Sequence, residues 1–238
     1  MVNKLTILIL ALASYASSAQ NSDTFFAQTD LFFKTYVEEG KVNYKAIQKN
    51  PDMLENLIKV GKNVRVSKEN TNEFKAFWIN AYNVWVIKSV IENYPLNSPL
   101  DVSGFFDKNI HEVGGLKITL NDIENRLLRG NFPEEPRVHF VLVCAGLGCP
   151  PIINQAYLPG TLDAQLQEQT KLALNDPFFI RQKGNKVLIS QIFEWYRKDF
   201  EQNGLEVIDF INHYRPDKFP KKTKLSYYPY DWSINETK

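Results

Sequence analysis

The sequence predicts an α+β fold, a single domain of helices packed on a small mixed or antiparallel sheet. Three observations carry this expectation: helical apolar stripes recur along the chain, short β-rich runs are scattered between them, and the two do not alternate as regular βαβ units. From Thr24 to Tyr36, Phe25, Leu31, Phe32 and Tyr36 fall near helical spacing, with Asp23 or Thr24 as N-cap. Glu39-Gly40 turns the chain into a short stretch, Val42-Asn43-Tyr44, and Met53 to Val60 reads as a second helix. The third helix is the strongest. Asn72 to Tyr94 keeps a helical stripe with no proline until Pro95, and its apolar content predicts burial on most sides. Gly114-Gly115 marks a turn before a short strand, Leu116 to Leu120, and Asn121 to Arg129 is a helix that Gly130 ends. Arg137 to Val143 reads as a strand. After it come a helix from Leu162 to Leu174, a strand from Asn185 to Ile189, a helix from Gln191 to Phe200 capped by Ser190, and a last helix from Leu205 to Tyr214.

The first nineteen residues set the expected compartment. Lys4 gives a positive start, Leu5 to Ala13 an apolar stretch and Ser17-Ser18-Ala19 a small-residue cleavage site, so Met1 to Ala19 reads as a secretory signal peptide and residues 20–238 as the mature domain. No cysteine stands at that boundary to take a lipid, and the apolar stretch falls short of the ~20 residues that spanning needs. Lysines and arginines (28) nearly balance aspartates and glutamates (27), so no basic face points to nucleic acid and no acidic excess to disorder. No GxGxxG or Walker-type loop is present. The expectation is an exported protein without stable membrane insertion, nucleic-acid partner or cofactor.

Chemistry concentrates in Arg137 to Pro151, RVHFVLVCAGLGCPP, which holds both cysteines, Cys144 and Cys149, just after His139. In a strand, Val138, Phe140 and Leu142 would face one way and His139, Val141 and Val143 the other; with both sets mostly apolar, the strand would be central and His139 buried. A straight strand would carry Cys144 ~16 Å from His139 and onto the opposite face, so pairing those two requires a bend after Val143. Cys149 has an easier route, because Gly146 and Gly148 let the loop fold back. Pro150 after Cys149 also suits a helix start, and a thiol at a helix N-terminus beside an imidazolium has a lowered pKa. Cys149 or Cys144 as nucleophile, with local loop chemistry favouring Cys149, His139 as base and backbone N–H groups of Ala145 to Cys149 as oxyanion donors form one reading.

Glu124 is the expected orienting carboxylate, although Asn121 and Glu124 also occupy the positions of a capping box, which would explain the glutamate without catalysis. Other readings use the same residues. Two cysteines in an exported chain can form a disulfide, and His139, Cys144, Cys149 and His111 are an N/S set suited to zinc, though at none of the common spacings. A thiol redox site is disfavoured by four residues between the cysteines. Asn80 and Asn83, three apart on the long helix, are expected to brace a loop. Trp195, Tyr196 and Asp199, like Tyr230 to Ser233, are accounted for by aromatic packing with a capped polar group.

Taken in order, VNY at Val42 to Tyr44, FWINAYN at Phe77 to Asn83, VGG and LNDIE through Glu124, RVHFVLVCAGLGCPP, FEWYRKDF at Phe193 to Phe200 and YDWSIN at Tyr230 to Asn235 resemble the domain of unknown function 547 (DUF547). That family occurs in many exported bacterial proteins. The resemblance implies that Glu124, His139, Cys144 and Cys149 are motif positions, whereas His111 stands where tyrosine is more usual. It also implies a distant similarity to papain-like or transglutaminase-like thiol enzymes; the order Glu, His, Cys differs from papain's Cys, His, Asn, so any relation needs a permuted fold or convergence. Two functions are therefore expected. One is an exported thiol-dependent hydrolase or acyl transferase acting on a peptide or other amide through a Cys-His-Glu site. The other is a non-catalytic exported binding domain with a structural Cys144–Cys149 disulfide.

Overall fold

The computed structural model describes residues 22–184 and 186–238. The expected signal segment, Met1 to Ala19, lies outside them. Helix α1 spans residues 22–36, so Asp23 and Thr24 lie within the helix and do not cap it. Strands β1 (Val37–Glu38) and β2 (Lys41–Val42) form a two-stranded hairpin. Asn43 caps α2 (Tyr44–Lys49), its Oδ1 accepting from the Ala46 N–H at 2.9 Å. Next come α3 (Asp52–Asn63) and α4 (Thr71–Asn93). As its composition predicts, α4 is buried almost all round from Phe74 to Val90 and forms the axis of the larger apolar cluster.

Strands β3 (His111–Val113) and β4 (Leu116–Ile118) pair antiparallel across the Gly114-Gly115 turn, where both glycines have positive φ. Helix α5 (Leu120–Asp122) runs on into a π-helical stretch, Ile123–Arg129. Its capping box is not the expected one. Thr119 Oγ1 accepts from the Asp122 N–H at 3.0 Å and Asp122 returns the bond to the Thr119 N–H, so Glu124 has no capping duty.

The expected strand from Arg137 to Val143 is not formed. Pro136–Phe140 is a 3-10 turn, and the chain then runs irregularly to the cysteines. The apolar run reflects burial on every side: Val138 to Val143 are all buried, and such a run fits any fully buried backbone. The ~16 Å separation and parity argument for His139 therefore lapse. Asn83 takes over part of what a strand neighbour would do, as its Nδ2 donates to the Val141 carbonyl and its Oδ1 accepts from the Val143 N–H, both at 2.9 Å. Asn80 treats Tyr157 the same way, at 2.7 and 3.0 Å. Both amides brace loops, as expected.

Helix α6 (Leu162–Asn175) leads to a three-stranded mixed sheet in which β5 (Ile180–Lys183) is antiparallel to β6 (Lys186–Ser190), and β6 is parallel to β7 (Lys224–Tyr228). Between β6 and β7 the expected single helix is split into α7 (Ile192–Trp195) and α8 (Arg197–Phe200) at Tyr196, followed by α9 (Val207–Tyr214). The sheet, α7 to α9 and Phe140 enclose a second apolar cluster. Helices packed with small sheets make this an α+β fold. Among the described residues no helix is long and apolar enough to cross a membrane.

Candidate functional site

The seam between the two clusters holds the cysteines. Cys149 packs against both, and Cys144 against the cluster of the mixed sheet. Backbone strapping sets the loop. Ala145 turns through φ +64°, and the segment Tyr230 to Asn235 runs beside it: the Leu147 N–H donates to Ser233 at 2.8 Å, Gly148 to Asp231 at 2.7 Å, and Asn235 back to Ala145 at 2.9 Å. The same tail reaches Tyr44, whose hydroxyl donates to Asn235 Oδ1 at 2.7 Å. The VNY and YDWSIN motifs are therefore parts of one clamp. Gly148 must be glycine here, because a Cβ would stand 2.8 Å from the Tyr230 ring.

This strapping takes up the N–H groups expected as an oxyanion hole from Gly146 to Cys149. The N–H groups of Leu147 and Gly148 are spent on the tail, that of Cys149 donates to the Gly146 carbonyl at 3.1 Å, and that of Gly146 donates to Cys144. The Cys149 helix start is also absent, since Pro150 and Pro151 continue as irregular chain.

Both cysteines are free thiols and partly exposed. Their Sγ atoms stand 2.8 Å apart, with the Tyr230 hydroxyl 3.1 Å from Cys144 Sγ and 2.9 Å from Cys149 Sγ. The pair is unequal. The hydrogen bond with Cys149 outweighs burial at Cys144, and with Tyr230 and the Gly146 N–H it holds the Cys144 thiol below its ordinary range, against an opposing push from the Glu124 charge. Burial raises Cys149, and Cys144 raises it further. Local chemistry thus favours Cys144 as the thiolate, the reverse of the preference read from the loop sequence.

His139 is buried, and its Nε2 lies 2.8 Å from Asp199 Oδ2. Asp199 is gripped from the other side by Arg129, through Nε at 2.6 Å and Nη2 at 3.0 Å. Burial alone would raise the Asp199 carboxyl; the bonds and charges of His139 and Arg129 override it and hold the group well below the carboxylate range. The break between α7 and α8 turns Tyr196 onto this pair, its ring stacked 4.1 Å from the imidazole and 4.6 Å from the Arg129 guanidinium. Glu124 therefore does not orient His139. Its carboxylate meets the Tyr196 hydroxyl, whose pKa rises through burial first and then through Glu124.

Glu124, His139, Cys144 and Cys149 nonetheless line one cavity of about 220 Å³, together with Tyr82 and Asn121. Tyr82 is kept protonated by burial and by the surrounding acidic groups, so its hydroxyl is a neutral donor. The Asn121 side-chain oxygen accepts from Asn125 at 2.8 Å, which leaves its NH₂ as a second donor. His111 is elsewhere. It lines a separate cavity with Lys62, Lys88 and Lys117, and burial and the Lys88 charge lower its imidazole to about 4. Among the described residues no group of three His, Cys, Asp or Glu side chains stands where it could hold a metal ion.

Sequence reasoning missed Asp199, Tyr196 and Tyr230 as members of the site. The signal was the i, i+3 spacing of Tyr196 and Asp199, which places both on one side of a helical turn. No curated protein and no solved structure matches the chain. The family comparison covers residues 66–172, which bring Glu124, His139 and both cysteines, while Tyr196, Asp199 and Tyr230 come from beyond it. Over those residues the chain is similar to the family described as protein of unknown function, DUF547.

Proposed function

We propose that the protein is an exported thiol-dependent hydrolase or acyl transferase acting on a peptide or other amide, with Cys144 as nucleophile and His139 as base. The observation that carries this reading is the convergence, in one cavity, of a thiol held below its ordinary pKa and an imidazole fixed by an Arg129–Asp199 pair. In the forward step the Cys144 thiol gives its proton to His139 and its sulfur bonds to the carbonyl carbon. The C–N bond then breaks, the His139 proton leaves with the amine, and a thioester remains. Water or an acceptor nucleophile attacks the thioester, gives its proton to the imidazole and returns the Cys144 sulfur as thiol. The carbonyl oxygen, negative in the tetrahedral intermediates, has the Tyr82 hydroxyl and the Asn121 amide as donors, replacing the loop N–H groups.

The test is a burst assay with p-nitrophenyl acetate. The expected result is one equivalent of p-nitrophenolate with an acetyl group on Cys144 by peptide mass mapping, abolished by Cys144→Ala; a free thiol that takes no acetyl group sinks the proposal. Export is tested by N-terminal sequencing of the protein from the extracytoplasmic fraction. A start near Gln20 is expected, and an intact Met1 there contradicts it.

A second reading has one observation in its favour. The two sulfurs are 2.8 Å apart, so a small closure would join them in a disulfide and leave a non-catalytic exported binding domain. Thiol counting on native protein separates the two: the first reading expects two free thiols and the second none.

A further inference from the structure

Acyl transfer through Cys144 leaves one feature of the cavity unused. Glu124 lines it with the neutral Tyr196 hydroxyl as partner, makes no ion pair among the described residues, and shares the lining with no lysine or arginine. The nearby cation, Arg129, is committed to Asp199.

Aromatic rings line the same cavity as this carboxylate. Trp195 and Trp232 are stacked with centroids 6.0 Å apart, Tyr230 lies 5.1 Å from Trp195 and 4.7 Å from Trp232, and Phe106 lies 6.3 Å from Trp232. The set grades from Trp195, 46% exposed at the rim, to Tyr230, 9% exposed. The faces of aromatic rings are electron-rich, so they and the carboxylate attract the same partner, a cation with an apolar surround. A neutral ligand gains contact with the rings and at most a hydrogen bond from Glu124, without the charge attraction. An anion is repelled by both.

We propose that this cavity binds a ligand bearing an alkylammonium group, with the cation at Glu124 and its carbon surface against Trp195, Trp232 and Tyr230. The proposal rests on the cavity being the substrate site of Cys144, and it narrows that substrate to an amide or ester carrying an ammonium group. The electrostatics couple the two groups. Glu124 opposes ionisation of Cys144, so an ammonium that offsets its charge promotes the thiolate that attacks.

The experiment is a tryptophan-fluorescence titration of the Cys144→Ser protein, in which no thiol chemistry intervenes, with choline and with its neutral isostere 3,3-dimethylbutan-1-ol. Choline is expected to quench saturably and to bind about tenfold tighter than the alcohol, a preference that Glu124→Gln reduces to the share the rings supply. Trp195→Ala, at an exposed position, is expected to weaken choline about fivefold and serves if Glu124→Gln does not fold. Equal binding of the two probes, or a preference undiminished by the substitutions, overturns the proposal. A choline preference in a protein that forms no acetyl-Cys144 would instead retain the ammonium site and refute the acyl-transfer reading.

Discussion

The His139 imidazole and the Arg129 guanidinium share one carboxylate, and that sharing fixes the imidazole. Asp199 side-chain exposure is only 18%, so its charge is little screened, and both partners are held by the Tyr196 ring as well. Asp199→Asn leaves a partly buried guanidinium without its counter-charge; unfolding in urea is expected to show a loss of about 3 kcal/mol. The same substitution releases the imidazole, and the acetylation rate of Cys144 is expected to fall about 10²-fold. An unchanged rate in a folded Asp199→Asn protein would remove His139 from the mechanism. The cysteines show the same dependence on immediate neighbours. Their inequality comes from their contacts, with the Gly146 N–H donating to Cys144 and the Cys144 N–H to Cys149 while the two thiols share one hydrogen bond, and loop sequence alone does not encode those partners.

At the scale of elements, the segment that carries His139 to Cys144 has no strand partner and relies on side-chain amides. Asn83 supplies one donor and one acceptor to buried backbone. Asn83→Ala leaves the Val141 carbonyl and Val143 N–H unsatisfied, and each such group costs about 1–3 kcal/mol; a loss near the lower end of the sum, about 2–3 kcal/mol, is expected from urea titration. A loss no larger than that of an exposed Asn→Ala would show that water replaces the brace. These elements also show what was legible in the sequence. The long helix α4, the Gly114-Gly115 turn with the strand after it, and α6 followed directly from periodicity and punctuation, because their stripes and turn residues are local signals; the strand before that turn, His111–Val113, did not. The segment Arg137 to Val143 did not, since a run of buried apolar residues carries no period and its pairing comes from a helix more than fifty positions earlier. The split between α7 and α8 was hidden for a similar reason: nothing local ends a helix at Tyr196, and the contact with His139 does. Of the site, the four motif residues were found and share a cavity; the roles given to Glu124 and Cys149 were not kept, because their partners lie far off in sequence.

At the scale of the whole molecule, the site is assembled from the long helix, the π-helical stretch, the cysteine loop, α7 and α8, and the tail, so global stability and site chemistry are linked. Acid titration reads global stability through two groups with depressed pKa values, of which Asp199 belongs to the site and His111 does not. His111 is lowered from 6.5 to about 4, so the unfolded chain binds more protons between those values, and its contribution is full above about pH 6.5 and lost as pH falls toward 4. Asp199 acts below that window, its contribution being present above the ordinary carboxylate value of 3.8 and lost as the medium becomes more acid. His111→Gln is therefore expected to flatten the stability curve between about pH 6.5 and 4 while leaving the more acid limb; a slope unchanged in that window would assign the acid sensitivity to other groups. The central claim, that Cys144 is a free and activated thiol in the assembled molecule, is tested most directly by iodoacetamide alkylation of the native protein followed residue by residue with mass spectrometry across pH. The account predicts carbamidomethylation of Cys144 ahead of Cys149, with a midpoint below that of an ordinary thiol, near 8.5. A native protein that takes no label until reductant is added, or that labels Cys149 first, would contradict it.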